Sequence, residues 1–376
     1  MPTPFCIKRS HIVRLNPGIN AEQMRIVFLI LVLFTLVAGR SSEIATGPTR
    51  FNSDPDVNSF SPAVTDVAFI DTLYAWAIDR RGAALYHTDS GSLLRKQATN
   101  FDGRTVLSFV DRKTGFAFSQ SMDRGRLWRT TDGGKTWQKL TDFDQTQPDF
   151  RLTSPSQLHF VDRQHGWLLA SLYGVWRTED GGRRWQKVFR TADRKEVETV
   201  RQGTFSEING AMVVTTHGIY VTVDGGKTWK LTNNTQGFSA IHSIDKNTAW
   251  VWRDSLFRTD DGGNTWHELY AWKSSGEIFS THFIDKNEGW AAGLELPESF
   301  GSVARNPDAP RTYGVLLHTE DGGKNWTRLP APTETSFFRV AFSDSKHGWL
   351  VGMNRLYRTV DGGVTWTTAL NAPGRQ

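Results

Sequence analysis

One nine-residue phrase constrains the fold of this chain more than any other feature. It reads RTTDGGKTW at Arg129–Trp137 and returns in five further places, of which the last is RTVDGGVTW at Arg358–Trp366. An enzyme needs one active site, so six copies of a phrase indicate a repeated structural element. The six copies contain the aspartates Asp132, Asp180, Asp224, Asp261, Asp321 and Asp361 and end on the tryptophans Trp137, Trp185, Trp229, Trp266, Trp326 and Trp366.

A second phrase precedes most copies of the first. FVDRKTGFAF, for example, begins at Phe109, 20 residues before Arg129. An early copy, FIDTLYAWAI from Phe69, is followed by LYHTDSGSLL, which we interpret as a decayed form of the nine-residue phrase. The fourth unit, INGAMVVTTHGIYVTVDGG, keeps the nine-residue phrase but lacks the Asp and Trp of the second one. The chain therefore contains seven two-phrase units.

The period of the repeat predicts the fold. Successive motif aspartates are 48, 44, 37, 60 and 40 residues apart, and periods near this length with short apolar runs are typical of propeller blades. Runs such as LWRT and LYRT are too short for helices. We predict an all-β fold, a seven-bladed β-propeller of four-stranded antiparallel blades with strands A to D. The nine-residue phrase forms the C–D turn, and the second phrase spans the A–B turn.

The residue types of the nine-residue phrase suit a tight turn. Two successive glycines permit positive φ, and the Asp and Thr side chains can bond to backbone groups of the turn. The Trp can bury a large ring between strands while its indole N–H finds a polar partner. We expect the six aspartates to be structural rather than metal ligands, because aspartates in separate blades cannot converge on one ion.

The phrase S/T-x-D-G-G-x-T-W is the Asp-box, or BNR repeat, known from sialidases, sortilin-type receptors and xyloglucanases. Together with F-x-D-x-x-x-G-W upstream, it makes residues 60–370 resemble the photosystem II stability and assembly factor family, whose members are seven-bladed propellers. The resemblance implies a non-catalytic protein that binds a protein partner and serves as an assembly or stability factor for a membrane complex. In that family an arginine-rich surface contacts the partner polypeptide.

The N-terminal residues predict export. The apolar run Ile26–Gly39 is 14 residues long, follows Arg25 and ends in small residues, as a signal peptide does. We expect a signal peptide or N-terminal extension at 1–40 with a true start at Met24, a linker at 41–58, the propeller at 59–370 and a tail at 371–376. The protein would then lie in the periplasm, a lumen or the extracellular space, with an uncleaved membrane anchor as the alternative.

Most tryptophans repeat by unit and are therefore expected to be core residues. Eleven of the 15 fall in two repeat registers. The remaining four have no such register and are expected to be freer to be exposed: Trp128, Trp176, Trp252 and Trp272.

The position three residues before the motif Asp also repeats. It holds arginine in four copies, Arg129, Arg177, Arg258 and Arg358, and Val221 or His318 in the other two. These arginines could form a partial ring on one face. We favour a pair between each arginine and the aspartate of its own A–B turn.

The unequal spacings place long connections on one face. Asp142–Arg151 and Phe189–Arg201 join strand D to the next strand A, and Leu294–Gly314 joins strands B and C. Strand parity brings all three to the face opposite the Asp-boxes, and long loops on a rigid scaffold are often functional. Arginine suits partner carboxylates and interface hot spots. The candidate partner-binding residues are Arg190, Arg194, Arg201, Arg305 and Arg311.

The alternative function is a secreted glycan-binding protein or a glycoside hydrolase of the sialidase or xyloglucanase type. The nearest match to the sialidase Arg-Ile-Pro motif, Arg328–Pro330, follows an Asp-box near the end of the chain instead of preceding the first one. A catalytic carboxylate pair across blades stays open, because sequence does not show the separation of two carboxyl groups.

Other ligand classes find little support in the sequence. The histidines lack metal-ligand spacing, so no metal or cofactor is predicted. The net charge of +5 comes from scattered residues, so nucleic acid is not predicted either. We expect a monomer that binds a protein partner.

Overall fold

A computed structural model describes residues 64–71, 74–79, 84–88, 95–121, 124–144, 155–170, 174–189, 199–272, 274–296, 313–332, 336–352 and 355–369. The predicted signal segment, linker and tail lie outside these residues, so their boundaries stay predictions. None of the described segments contains a helix long and apolar enough to cross a membrane.

The described residues form seven four-stranded antiparallel sheets, each built from four consecutive strands of the chain. Blades 1 to 3 contain β1 (Val64–Phe69), β2 (Ala75–Asp79), β3 (Ala84–Thr88) and β4 (Arg95–Ala98); β5 (Arg104–Phe109), β6 (Gly115–Ser121), β7 (Arg124–Thr130) and β8 (Gln138–Asp144); and β9 (Pro155–Phe160), β10 (Gly166–Ala170), β11 (Gly174–Thr178) and β12 (Gln186–Phe189).

Blades 4 to 7 continue the same order. They contain β13 (Val200–Thr204), β14 (Ala211–Thr215), β15 (Gly218–Thr222) and β16 (Lys230–Asn233); β17 (Ala240–Ser243), β18 (Ala249–Trp252), β19 (Ser255–Thr259) and β20 (His267–Ala271); β21 (Gly276–Phe283), β22 (Gly289–Glu295), β23 (Tyr313–Thr319) and β24 (Thr327–Arg328); and β25 (Phe337–Phe342), β26 (Gly348–Gly352), β27 (Leu356–Thr359) and β28 (Thr367–Thr368). The predicted seven-bladed β-propeller is confirmed.

The core lies between blades rather than within them. Strand B of blade 3, GWLLA, is buried along its whole length, whereas strand D of blade 5, HELYA, is half-buried or exposed. Seven apolar clusters each join two successive blades. The last of them packs Trp349 and Val351 of blade 7 against Val67 and Ala77 of blade 1. Side-chain packing between blades therefore closes the ring.

The two phrases of a unit meet on one face of the propeller. In blade 2, the N–H of Gly133 in the Asp-box donates to the carbonyl of Lys113 in the A–B turn at 2.8 Å. The equivalent bond occurs in blades 3 to 7, where Gly362, for example, donates to the carbonyl of Lys346 at 2.9 Å. Because A–B and C–D turns share this face, the B–C and D–A connections emerge on the opposite one.

Candidate partner-binding surfaces

Each Asp-box closes its own turn with side-chain hydrogen bonds. In blade 5, Thr259 Oγ1 accepts a bond from the N–H of Gly263 at 2.8 Å and donates to Asp261 Oδ1 at 2.8 Å. Asp261 also accepts bonds from the N–H and the hydroxyl of Thr265 at 2.9 and 2.6 Å. Bonds from Thr265 and Thr259 lower the pKa of Asp261 to about 2. The carboxylate oxygens thus bond within the turn.

The other five copies repeat the central contact. In each, the threonine two residues before the aspartate donates its hydroxyl to that carboxylate. The aspartates involved are Asp132, Asp180, Asp224, Asp321 and Asp361.

In three blade pairs, a strand-B tryptophan connects an Asp-box to the preceding blade. The ring of Trp250 in blade 5 stacks on Phe283 of blade 6 with centroids 3.7 Å apart. Its Nε1–H donates to the carbonyl of Gly322, in the Asp-box of blade 6, at 2.9 Å. The Asp-box tryptophan of blade 6, Trp326, packs edge-on against the same Phe283 at 6.0 Å. Blade pairs 1–2 and 6–7 have the same joint. The Asp-box therefore fixes its own turn and binds the neighbouring blade.

The predicted pair between each arginine and the aspartate of its own A–B turn is wrong for Arg177 and Arg258. Arg177 bonds to Glu179 in its own motif and to Asn209 Oδ1 of blade 4 at 2.8 Å. Arg258 bonds to Asp260 and to the carbonyl of Lys286 in blade 6 at 3.0 Å. These side chains lie across the strand-B rings of their own blades, which directs them toward the next blade.

The aspartates of the A–B turns have different partners. Asp111 accepts bonds from the N–H groups of Lys113 and Thr114 and from Arg163 of the following blade at 2.9 Å. Burial raises the pKa of Asp111, but these bonds outweigh it and bring the pKa down to about 2. Arg112 bonds in the same way to Asp71 of blade 1 at 2.7 Å.

The expectation that tryptophans outside the two registers are freer to be exposed is also wrong for three of the four. Trp128 is 9% exposed, and Trp176 and Trp252 are fully buried. Trp128 donates to Ser119 Oγ at 3.0 Å, and Trp252 packs against Trp272 and Trp326. Strands B and C lie between neighbouring blades, so large rings on them become part of the core.

Sequence reasoning missed a set of polar side chains on the first strands. These side chains each bond to the first strand of the next blade, and the first strands of successive blades are in contact. His242 Nε2 lies 3.1 Å from the carbonyl of Phe283, and His282 Nε2 lies 2.8 Å from that of Phe342. Ser108, Gln157, Thr204 and Arg339 make the equivalent contacts in other blades. The signal was present in the sequence, since both histidines immediately precede the start of a second phrase.

Four of the five candidate partner-binding residues lie outside the described residues, namely Arg190, Arg194, Arg305 and Arg311. Arg201 is half-buried near the start of β13 and donates to the carbonyl of Phe238 in blade 5 at 3.3 Å. Burial raises the pKa of Glu277 at the start of β21, and the charge of Arg201 opposes this shift. Both residues lie at the end of the first strands that faces away from the Asp-boxes.

The described part of the chain contains no group of three or more His, Cys, Asp or Glu residues placed to hold a metal ion. The half-buried histidines of the first strands bond to backbone carbonyls, as His242 and His282 do, and loss of solvation lowers the pKa of His159 to about 4.

Residues 102–249 match the family model of the photosynthesis system II assembly factor YCF48. The photosystem II assembly lipoprotein Ycf48 of Synechococcus sp. (strain CC9902) is 30% identical over 117 residues, which is 30% of this chain and 30% of that relative.

Two solved structures show how widely the fold is shared. A protein described as YCF48 bound to D1 peptide superposes with a TM-score of 0.59 at 19% identity, covering 81% of this chain and 94% of that one. The GH74 xyloglucanase from Xanthomonas campestris superposes with a TM-score of 0.60 at 14% identity, covering 81% of this chain and 53% of that one. At such identities the likeness shows the fold alone. By its repeated phrases, its seven blades and the matched segment, the chain is an Asp-box β-propeller that resembles the photosystem II stability and assembly factors.

Proposed function

We propose that this chain is an exported, non-catalytic propeller that binds a protein partner and acts as an assembly or stability factor for a membrane complex. The observation that carries this proposal is the match of residues 102–249 to the YCF48 assembly-factor model. A relative named as an assembly lipoprotein supports it, as does the fold shared with a YCF48 that binds a D1 peptide.

The partner-binding surface is the face opposite the Asp-boxes. Strand parity predicts that the connections with Arg190, Arg194, Arg305 and Arg311 emerge there, and Arg201 lies at the same end of the first strands. Arginines on loops of a rigid scaffold suit an acidic or carboxylate-bearing segment. We expect this surface to act on association rate and salt dependence more than on folding.

The non-catalytic assignment rests on where the repeated carboxylates bond. The aspartates of the Asp-boxes and of the A–B turns accept bonds within their turns or from the neighbouring blade. A carboxylate with such hydrogen bonds stabilises the fold. The fold itself does not decide between binding and catalysis, because a xyloglucanase shares it. Export follows from the predicted signal segment at 1–40, and the relative named as a lipoprotein is consistent with it.

The test is an affinity pull-down from solubilised membranes of the source organism, followed by identification of the proteins that co-purify. The informative variant reverses Arg194, Arg305 and Arg311 to Glu. We expect an unchanged melting temperature and loss of the partner. The matched control reverses Lys135, Arg183 and Lys324 on the Asp-box face, all of which are exposed. Retention of the partner by the first variant at physiological salt would exclude the loop face, and a carbohydrate ligand in place of any protein would favour the glycan-binding alternative.

A further inference from the structure

Blade 4 differs from most other blades at four positions on its Asp-box side. Met212 stands where other blades have Trp or Phe, and Val221 stands where they have Arg or His. Ile208 occupies the A–B turn position that is Arg112, Arg163, Lys246 and Lys286 in four other blades. Val223 precedes the motif aspartate, where blades 2, 3, 5 and 6 have Thr, Glu, Asp and Glu. Blade 4 therefore has apolar residues at four positions where most other blades have charged, polar or aromatic ones.

Three of these residues line one pocket, and Ile208 lies on the same face in the A–B turn of blade 4. Met212 and Val221 are cross-strand partners, and both line a pocket of about 260 Å³ together with Val223. Glu207 and Lys246 are at the rim of this pocket. Ile208 is 39% exposed and Val223 is 81% exposed. An exposed aliphatic side chain that borders an apolar pocket, as Val223 does, indicates an interaction site, because isolated apolar residues are common on surfaces but apolar clusters are not.

The joint behind this pocket explains why the space is open. In the joint between blades 5 and 6, Trp250 stacks on Phe283 and bonds to Gly322. Between blades 4 and 5 the corresponding residues are Met212 and Ser243. A thioether and a hydroxymethyl group have no ring to stack and no indole N–H to donate, so the pocket is left beside the Asp-box turn of blade 4.

A second cavity flanks the same turn on its other side. A groove of about 840 Å³ lies between β12 of blade 3 and the Asp-box turn of blade 4, lined by Trp185, Tyr220, Trp229, Arg184 and Lys227 among others. Arg177 engages Glu179 at its edge, and Asp180 accepts bonds from Thr178 and from the N–H of Arg184. Arg184 and Lys227 are exposed and have no ion-pair partner among the described residues. The groove therefore combines aromatic rings with an excess of positive charge, since four basic residues and two acidic ones line it.

We propose that the Asp-box turn of blade 4 is a docking site for an extended acidic segment of a partner protein. An aliphatic side chain of that segment enters the pocket beside Met212 and Val223. Its carboxylates lie along the groove, where Arg184 and Lys227 provide the complementary charge. The pocket makes a protein segment a better occupant than a nucleic acid, since a polyanion without apolar side chains leaves it unfilled. The pocket and the groove lie beside the Asp-box turn of blade 4, so the proposal stands independently of the proposed function.

The test selects ligands from a random pool, so the partner does not have to be identified first. Random peptides displayed on phage are selected against the full chain, and the enriched peptides are synthesised and titrated by fluorescence anisotropy. We expect enriched sequences with an aliphatic residue flanked by Asp or Glu. The double substitution I208S/V223T installs the residues that blades 7 and 2 carry at these exposed positions, Ser345 and Thr131, and adds no charge, so it should leave the melting temperature unchanged. It should weaken binding by about tenfold or more, as expected for loss of an apolar anchor.

Two further variants make the result specific. Lys227→Glu should weaken the same peptides and reduce the salt dependence of their affinity. V360T is the matched control, because Val360 occupies the same motif position in blade 7 and is 53% exposed, yet that blade keeps Trp349 and Arg358. V360T should bind like the unmodified chain. The proposal is wrong if no peptide is enriched, if the enriched peptides bind the I208S/V223T chain equally well, or if they lack acidic residues.

Discussion

Arg339 of blade 7 and Asp66 of blade 1 form an ion pair across the closure of the ring, although 273 residues separate them in the sequence. The same carboxylate accepts a bond from the N–H of Leu107 in blade 2 at 2.7 Å. Asp66 is almost fully buried, so one acidic group connects three successive blades where the chain must close on itself.

We predict that the two partners of this ion pair contribute unequally to stability. Asp66→Ala leaves the buried N–H of Leu107 without an acceptor and should cost about 1–3 kcal/mol in the free energy of unfolding. Arg339→Gln should cost less than Asp66→Ala, because the Asp66 carboxylate keeps the N–H groups of Val67 and Leu107 as donors and the Arg339 side chain is itself 45% exposed. Urea denaturation of the two variants measures both. A larger loss from the arginine substitution would contradict this role for Asp66.

A second prediction concerns the indole bond between blades. Trp250→Phe keeps the stacking partner of Phe283 but removes the donor to the carbonyl of Gly322. Trp252→Phe is the matched control, since Trp252 is equally buried on the same strand and its Nε1–H has no partner among the described residues. We expect Trp250→Phe to cost about 1 kcal/mol more than Trp252→Phe, the usual worth of one hydrogen bond. If both variants lose the same stability in thermal denaturation, the volume of the ring and not the indole hydrogen bond determines the contribution of Trp250.

The strand order of each blade could be predicted because each turn has its own local chemistry. Asp-Gly-Gly marks the C–D turn and the second phrase marks the A–B turn, so the strands between them follow. A repeated sequence, however, does not state whether a repeated residue bonds within its own unit or to the next one. For this reason the sequence pattern suggests a bond between Arg177 and its own A–B turn, although Arg177 bonds to Asn209 of blade 4.

The buried tryptophans of strand C could have been predicted. The residue four before the motif aspartate is aromatic in most units, and the decayed first unit has Tyr86 there. The others are Trp128, Trp176, Tyr220, Phe257 and Tyr357. Mixed aromatic types conceal this register when only tryptophans are counted. The docking surface of blade 4 had a signal as well, because its second phrase lacks both Asp and Trp, but only the fold shows that Met212 and Val221 are neighbours.

A third prediction tests the Asp-box turn through its threonine. Thr259 is fully buried, and Thr259→Val removes the acceptor of the Gly263 N–H and the donor to Asp261 without changing the side-chain shape. We expect a loss of about 1–3 kcal/mol from the buried N–H that is left unpaired. Thr265→Val is the control, because the Thr265 hydroxyl bonds to Asp261 at an exposed position. If Thr265→Val lowers the free energy of unfolding as much as Thr259→Val, burial of the hydroxyl does not determine its contribution to stability.

The last prediction is an acid sensitivity located in the first strands. His242 and His282 have ring centroids 4.7 Å apart. Burial lowers the pKa of His242 to about 4. Burial is the largest of the effects that lower the pKa of His282 to about 3. The charges of His242 and Arg339 lower it further, whereas the bond to the backbone of Phe342 raises it. At pH values between these pKa values and the ordinary histidine pKa of about 6.5, the unfolded chain binds protons that the folded chain does not. The contribution of the two histidines to stability is therefore complete above about pH 6.5 and is lost as the pH decreases.

Each buried histidine should contribute a slope of up to about 1.4 kcal/mol per pH unit to the free energy of unfolding. Urea denaturation between about pH 6.5 and pH 4.5 measures this slope, a window above the pKa values near 2 of Asp224, Asp261 and Asp361. His282→Gln keeps a donor for the carbonyl of Phe342 but cannot bind a proton. The pH dependence of its free energy of unfolding should therefore lack the contribution of one histidine. His267→Gln on the exposed strand β20 is the control and should leave the slope unchanged. If His282→Gln and the unmodified chain lose the same stability between about pH 6.5 and pH 4.5, the acid sensitivity does not come from His242 and His282.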